Sequence, residues 1–413
     1  MSGEGTGREG EARRTGPAGG PGGSGSGRES SVRGSSGGES GRGSGRESGR
    51  GGSGRGTSGL GASGRAPRPG VDQLVDQILD AVGAQANRDQ LREIFATAMR
   101  LGAEATDRLD LKITNATMRE MAEAFRVFAP YRSVPKVTMF GSARTLPVDP
   151  LYGQARHLAA TLARSGWMVV TGAGPGIMAA GLEGAGREMA FGINIRLPFE
   201  QGANAFIAAD PKLVEMKYFF TRKLMLMKES DGYVVLPGGF GTLDEAFELL
   251  TLLQTGKAEP APIVLLDIPG GTYWQGWRRF VAEEVVARGL VSQEDEALYR
   301  ITDDVHRAAG EILGFYRNYH SRRFVGDLLV IRLKAGPGPE ELARLNRDFP
   351  DLCREGDIHV VEPLPAERGE QDHLDLPRIA LALDRSRQGR LRQLVDALNS
   401  LASAPPPPVV HPE

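Results

Sequence analysis

Ten residues, Leu236-Pro237-Gly238-Gly239-Phe240-Gly241-Thr242-Leu243-Asp244-Glu245, restrict the possible fold more than any other part of the chain. They follow a short apolar run, residues 232–236, and open a pattern in which Leu243, Phe247, Leu250 and Leu253 recur at helical spacing. The stretch therefore reads as a strand, a tight loop and the start of a helix. Glycines at 238, 239 and 241 let the backbone turn sharply and aim N–H groups at one point. The helix dipole adds partial positive charge there, so an anion, most simply a phosphate, is the natural ligand. The acidic pair Asp244-Glu245 then stands in the first helical turn. A carboxylate does not help to hold phosphate, so it points to chemistry on whatever the phosphate is attached to.

The surrounding pattern agrees with such a junction. From Lys136 onward, strands are expected at 137–140, 167–171, 192–197, 232–236 and 263–267. Helices are expected near 152–162, from 177, and at 213–229, 242–255, 274–288 and 304–319. This alternation predicts an α/β fold, a Rossmann-like doubly wound parallel sheet covered on both faces. Ligands of such sheets sit beyond the C-terminal ends of the strands. The loops Gly141-Ser142, Gly172-Ala173-Gly174-Pro175-Gly176 and Gly238–Gly241 all follow strands and should converge on one crevice.

Composition sets the flanks apart. Residues 1–70 hold 26 of the 56 glycines and no aromatic residue; the first is Phe95. Such a segment cannot bury enough apolar area to offset its ordering entropy and is expected to be disordered. It carries eleven Arg and six Glu, a balance of +5, which leaves −7 for the rest of a chain of net charge −2. The folded part is thus a poor general nucleic-acid binder; weak RNA contact through 1–70 is the most that the tail suggests. Residues 71–130 read as a helical arm, with apolar stripes through Val71–Val82 and Leu91–Met99, and with Thr117-x-x-Glu120 as a capping box ahead of Phe125 and Phe128. A small bundle, a packing arm and a dimer contact all fit that pattern. The nucleotide-binding catalytic domain then spans 131–322, a small α+β domain, a candidate for regulation, 323–400, and a proline-rich tail 401–413. One cysteine, Cys353, excludes an internal disulfide framework, and no apolar run is long enough for a membrane span, so a cytoplasmic protein without membrane association is expected.

Four pieces bear on chemistry. Ser142 offers a hydroxyl at a strand end, although an ordinary turn reads the same way. The loop 172–176 lacks the third glycine of a dinucleotide fingerprint, since position 177 is Ile, which argues against NAD. Arg222-Lys223 lies in a helix with Tyr218, Phe219, Met225 and Leu226 one turn to either side, so Arg222 must snorkel or be held by an anion. The fourth piece is the opening motif. The six His residues are scattered, and no metal-ligand cluster or cofactor signature stands out.

Pro237–Glu245, preceded by Arg222-Lys223, resembles the LONELY GUY (LOG) family of nucleoside 5′-monophosphate phosphoribohydrolases, long mislabelled as lysine decarboxylases. The likeness extends over about residues 120–320 and takes in Phe140–Arg144 and Gly174-Pro175-Gly176-Ile177-Met178. It implies Glu245 and Arg222 as the catalytic pair. It also implies Gly238, Gly239, Gly241 and Thr242 as the holder of the 5′-phosphate, with Lys223, Asp244 and Thr251 as further ligand contacts. Ser142, Gly174 and Gly176 would assist from the neighbouring loops. No metal or cofactor is implied, and a homodimer or higher oligomer is. The rival reading keeps the same sheet as a non-catalytic nucleotide- or cofactor-binding sensor or carrier.

Overall fold

The computed structural model describes residues 69–196 and 202–410. The segment read as a disordered tail, apart from its last two residues, lies outside the described residues, as do 197–201 and 411–413. The arm comprises α1 (Pro69–Ala81), α2 (Arg88–Ala103) and α3 (Arg108–Phe128). Next come β1 (Lys136–Phe140), α4 (Pro150–Arg164), β2 (Met168–Thr171), α5 (Ile177–Met189), β3 (Ala190–Ile195) and β4 (Leu213–Met216). The chain continues through α6 (Phe219–Lys228), β5 (Gly232–Val235), α7 (Phe240–Gln254), β6 (Ile263–Leu266), α8 (Tyr273–Phe280), β7 (Arg300–Thr302) and α9 (Val305–Phe315). It closes with β8 (Tyr319–Val325), β9 (Leu328–Leu333), α10 (Pro339–Asp348), β10 (Cys353–Val360), α11 (Pro365–Glu370), β11 (Arg378–Leu383) and α12 (Gln388–Asn399).

The first seven strands form one sheet in the order β4-β3-β2-β1-β5-β6-β7, every pair parallel. Val137 of β1 lies level with Val169 of β2 on one side and with Gly232 of β5 on the other. Strands β1, β2, β5 and β6 are buried at every position, as unbroken apolar runs require when helices cover both faces. One face packs under α4, α5 and α9 through Leu158, Leu162, Leu182 and Ile312. The other packs under α3, α6, α7 and α8 through Phe128, Leu226, Leu249 and Trp274. The chain winds outward from β1 in both directions, so the strand order reverses between β1 and β5. That reversal opens the crevice described below.

The structure corrects several readings of the arm and edges. Thr117 does not start a helix: it lies in the middle of α3, whose N-cap is Asp107, accepting the N–H of Leu109. The end of α3 packs on the sheet, with Phe128 stacked on Phe191 at 3.9 Å. The segment expected as a single helix at 213–229 is an edge strand, β4, followed by α6. The helix expected at 274–288 ends at Phe280 and continues as a π-turn, Val281–Val286. The last strands form a separate antiparallel sheet, β10-β11-β9-β8, backed by α10 and α12. Its first strand, β8, begins before the expected boundary at 323 and runs across it. From Gly70 onward the chain forms one unit. Arg322 donates to the Ala258 carbonyl at 2.7 Å and Arg300 pairs with Asp396 at 2.6 Å, tying the second sheet to the first.

Candidate active site

Loops leaving the C-terminal ends of β1, β2 and β5 line a crevice of about 740 Å³. Gly141, Ser142, Gly172, Gly238, Gly239, Gly241 and Thr242 all border it, together with Arg222 and Glu245. Gly238 is required where it stands, because a Cβ there would lie 2.2 Å from the Thr242 hydroxyl and 3.0 Å from the Ser142 nitrogen. Gly239 is the N-cap of α7, so the first turn of that fifteen-residue helix, Phe240-Gly241-Thr242, turns backbone N–H groups without intrahelical partners toward the crevice.

Arg222 and Glu245 meet at the crevice wall. They come from different helices, α6 and α7, and Arg222 Nη1 lies 3.6 Å from Glu245 Oε1. Both are about nine-tenths buried, at 8% and 9% exposure. Arg222 Nε donates to the Ile193 carbonyl at the end of β3 at 3.0 Å, which fixes the plane of the guanidinium. A Cβ on Gly172 would fall 1.9 Å from Arg222 Nη2, so the second loop carries glycine there to make room for the arginine. Burial pushes the Glu245 carboxyl up; Arg222 and Lys223 pull it back without cancelling the effect, and it stays above its ordinary value. The crevice thus holds a desolvated acid beside a fixed cation, next to a helix N-terminus.

Other residues singled out from the sequence take different places. Lys223 does not border the crevice. Its ammonium pairs with Asp244 at 2.9 Å and Glu248 at 2.5 Å, fastening α6 to α7. Asp244 is therefore engaged on the outer side of α7. Thr251 donates to the Phe247 carbonyl at 2.8 Å and faces a small apolar cavity beside Trp277 and Tyr299. Gly174 and Gly176 shape the loop rather than line the crevice. The Gly174 carbonyl accepts from Asn204 at 2.8 Å, and Gly176, at φ +67°, packs against the Ser142 carbonyl. The Ser142 N–H is spent on the Pro237 carbonyl at 3.2 Å, and its hydroxyl accepts the Arg144 N–H at 3.0 Å, which leaves only the hydroxyl proton to offer.

Four supporting residues escaped the sequence reading of the site. Tyr273 opens α8 and donates its hydroxyl to the Gly238 carbonyl at 2.7 Å. The turn before it is held by Asp267, whose carboxylate accepts the N–H groups of Ile268 at 2.8 Å and Tyr273 at 3.2 Å. Phe219 places an exposed ring at the crevice mouth, facing the same solvent as Phe240, which is 94% exposed. Glu120 of α3 accepts the Lys217 N–H at 3.0 Å and the Thr221 hydroxyl at 2.6 Å, capping the helix that bears Arg222. No local signal marks Tyr273 or Glu120, since each acts on a segment distant in sequence. Two exposed phenylalanines near glycine loops were the one readable hint.

Comparison with known proteins bears on this region. Residues 175–312 match a family described as possible lysine decarboxylase. The cytokinin riboside 5′-monophosphate phosphoribohydrolase LOG1 of Arabidopsis thaliana is 37% identical over 71 residues, 17% of this chain and 32% of that protein. The probable cytokinin riboside 5′-monophosphate phosphoribohydrolase LOGL3 of Oryza sativa subsp. japonica is 35% identical over 71 residues, with the same coverage of 17% and 32%. The chain thus spans about a third of the length of the curated relatives it matches. Among solved structures, the molybdenum cofactor carrier protein of Chlamydomonas reinhardtii is 21% identical, covering 43% of this chain and 94% of that one, at a TM-score of 0.30. Through these matches part of the chain is similar to the LONELY GUY (LOG) family.

Proposed function

We propose that the chain hydrolyses the N-glycosidic bond of purine nucleoside 5′-monophosphates of the AMP type, releasing the free base and ribose 5-phosphate. The reading rests on one observation: Glu245 and Arg222, both buried, face each other at 3.6 Å beside the N-terminus of α7. The activity for which the relatives are named, cytokinin riboside 5′-monophosphate phosphoribohydrolase, supports the same bond class.

In this scheme the 5′-phosphate sits on the N–H groups of Phe240–Thr242 and the Thr242 hydroxyl, with the Ser142 hydroxyl donating from the adjacent loop. Anchoring that remote group positions the sugar. Departure of the base builds positive charge at the anomeric carbon. A carboxylate in a partly desolvated site stabilises that charge more strongly than one in water and orients or deprotonates the attacking water. Arg222 grips ribose or phosphate oxygens and keeps Glu245 from protonating fully. The exposed rings of Phe219 and Phe240 offer flat apolar surface to the base at the crevice mouth. Lysine chemistry of the decarboxylase type finds no support in Lys223, whose ammonium is bound between two carboxylates outside the crevice.

The test is incubation of the purified protein with AMP and chromatography for adenine. Glu245→Gln should retain AMP binding and lose base release by a hundredfold or more, about 2.7 kcal/mol in the barrier. Binding of AMP without any adenine from the unaltered protein would instead assign the crevice to a carrier or sensor.

A further inference from the structure

A second cavity, of about 840 Å³, lies at the opposite end of the parallel sheet, where residues preceding β1, β2 and β5 meet the start of β8 and the end of β9. Its wall carries Arg164, Arg317 and Lys334, with Trp167, His320 and Asp231. The cations are held by neutral acceptors: Arg164 donates to the Thr161 hydroxyl at 3.3 Å, Arg317 to the Pro405 carbonyl, and Lys334 to the Tyr316 carbonyl at 2.5 Å. Among the described residues none of the three forms an ion pair, in contrast to Arg323, Arg332, Arg378 and Arg390 of the same C-terminal region, each of which reaches a carboxylate. Asp231 is the acidic residue on this wall, and its carboxylate accepts the Lys136 N–H at 2.8 Å.

We propose that this cavity binds a multiply charged phosphate anion, bridged between the Arg164, Arg317 and Lys334 side chains, at a site separate from the catalytic crevice. Cations that lack a partner carboxylate around a water-filled cavity leave a positive potential, and an oxyanion is the ligand that satisfies it. The charges come from three places in the chain: the last residue of α4, just after α9 and just after β9. A chain of two or three phosphoryl groups suits three cations around a cavity of about 840 Å³. The potential is felt locally: burial first, then His373, Lys334 and Arg332, hold His320 below its ordinary pKa. The cavity also joins the second sheet to the first, so an anion bound there would clamp the two together.

The probes are inorganic pyrophosphate and tripolyphosphate, added to the full chain while the His320 ring is followed by NMR, its signal assigned by its loss in His320→Asn. The His320 resonance should move saturably with pyrophosphate, and its titration midpoint should rise. In Arg164→Gln, and separately in Arg317→Gln/Lys334→Gln, half-saturation should need at least tenfold more pyrophosphate, with AMP binding at the crevice unchanged. Arg164 is exposed, so its variant tests the site even if the double variant folds poorly. A His320 signal that ignores both probes up to several millimolar, or that responds equally in the wild type and in Arg164→Gln, overturns the proposal.

Discussion

Glu120 Oε2 accepts the hydroxyl of Thr221 at 2.6 Å across 101 positions of sequence, while its other oxygen takes the Lys217 N–H at 3.0 Å. The carboxylate thus sits on the N-terminal turn of α6, where the helix dipole favours negative charge. Arg222 follows Thr221 directly, so the arm sets the axial position of the guanidinium in the crevice. The arm is thus a clamp on the helix that carries Arg222, and under the proposed function that clamp bears on turnover.

Glu120→Ala should therefore reduce kcat/KM for base release by about tenfold to a hundredfold, the usual effect of misplacing a reacting group by a fraction of an ångström to an ångström. Removing hydrogen bonds to a charged group should also cost about 1.5–3 kcal/mol of stability. Among the described residues the neighbouring Glu123 pairs only with Arg126, on the exposed face of α3. Glu123→Ala should change stability by less than about 0.5 kcal/mol and leave turnover intact. Steady-state kinetics beside thermal melts of the two variants separate the arm as clamp from the arm as inert packing.

Glu245 sets function against stability. Its folded pKa is raised by burial above the ordinary 4.5, so the folded state binds its proton more tightly than the unfolded chain does. The linked stability is therefore present below the unfolded value and is lost as pH rises through the folded one. Glu245→Gln should melt at higher temperature than the wild type at pH 7, and the gain should vanish as pH falls below 4.5. Turnover runs the other way. In the proposed mechanism the ionised carboxylate is the working form, so kcat/KM should climb with pH through the same raised pKa. Melting curves and pH–rate profiles on one set of buffers test both signs, and a variant less stable than wild type at neutral pH would refute the first.

Tyr273 holds the crevice from behind. Its hydroxyl donates to the Gly238 carbonyl, while the Trp274 indole independently anchors α8 to the Leu266 carbonyl at 3.1 Å. Tyr273→Phe removes the first bond and keeps the second. The expected loss is about 1 kcal/mol, a roughly fivefold rise in KM for the nucleotide with kcat little changed. The thermal midpoint should stay close to wild type. An equal fall in kcat and kcat/KM would show that the loop matters only in the transition state and not in holding the phosphate.

How much of this was readable beforehand follows from the range of each interaction. The strand–loop–helix character of Gly232–Gln254 is written in local periodicity and glycine placement, and the three loops meet because parallel strands place their C-terminal ends together. Edge strand β4 was hidden because Leu213, Val214 and Met216 continue smoothly into the apolar spacing of α6. Thr117-x-x-Glu120 misled because a capping-box pattern inside a long helix looks the same as one at its start. The true partner of Glu120 is α6, and no window along the chain contains both. The resemblance implies Lys223 and Asp244 as ligand contacts beside Arg222 and Glu245. On a helix, however, the next residue points about 100° away, which turns both side chains outward to meet each other. Gly172 was visible only as one glycine of a loop; its purpose, clearance for Arg222, appears once α6 is in place.

The second sheet rests on a buried charge network of its own. Glu367 is fully buried, 2.8 Å from both Arg332 and Arg378, and it also accepts the Leu364 N–H at 3.0 Å. Burial by itself would raise its pKa. The Leu364 N–H and the two arginines outweigh that and hold it below the ordinary 4.5. A lowered carboxyl contributes stability that is present above the unfolded pKa and is lost as pH falls through the folded one. Glu367→Gln takes the carboxylate from buried Arg378 and leaves Arg332 with Asp372 alone, and should cost about 3–5 kcal/mol. Acid titration of the wild type should accordingly loosen the second sheet below pH 4.5, read as accelerated amide exchange in β9 and β11. In Glu367→Gln that exchange should already be fast at neutral pH and respond little to acid. Slow, pH-independent exchange of those strands in the variant would mean that packing of α12, through Leu391, Leu394 and Leu398, holds the sheet without the charges.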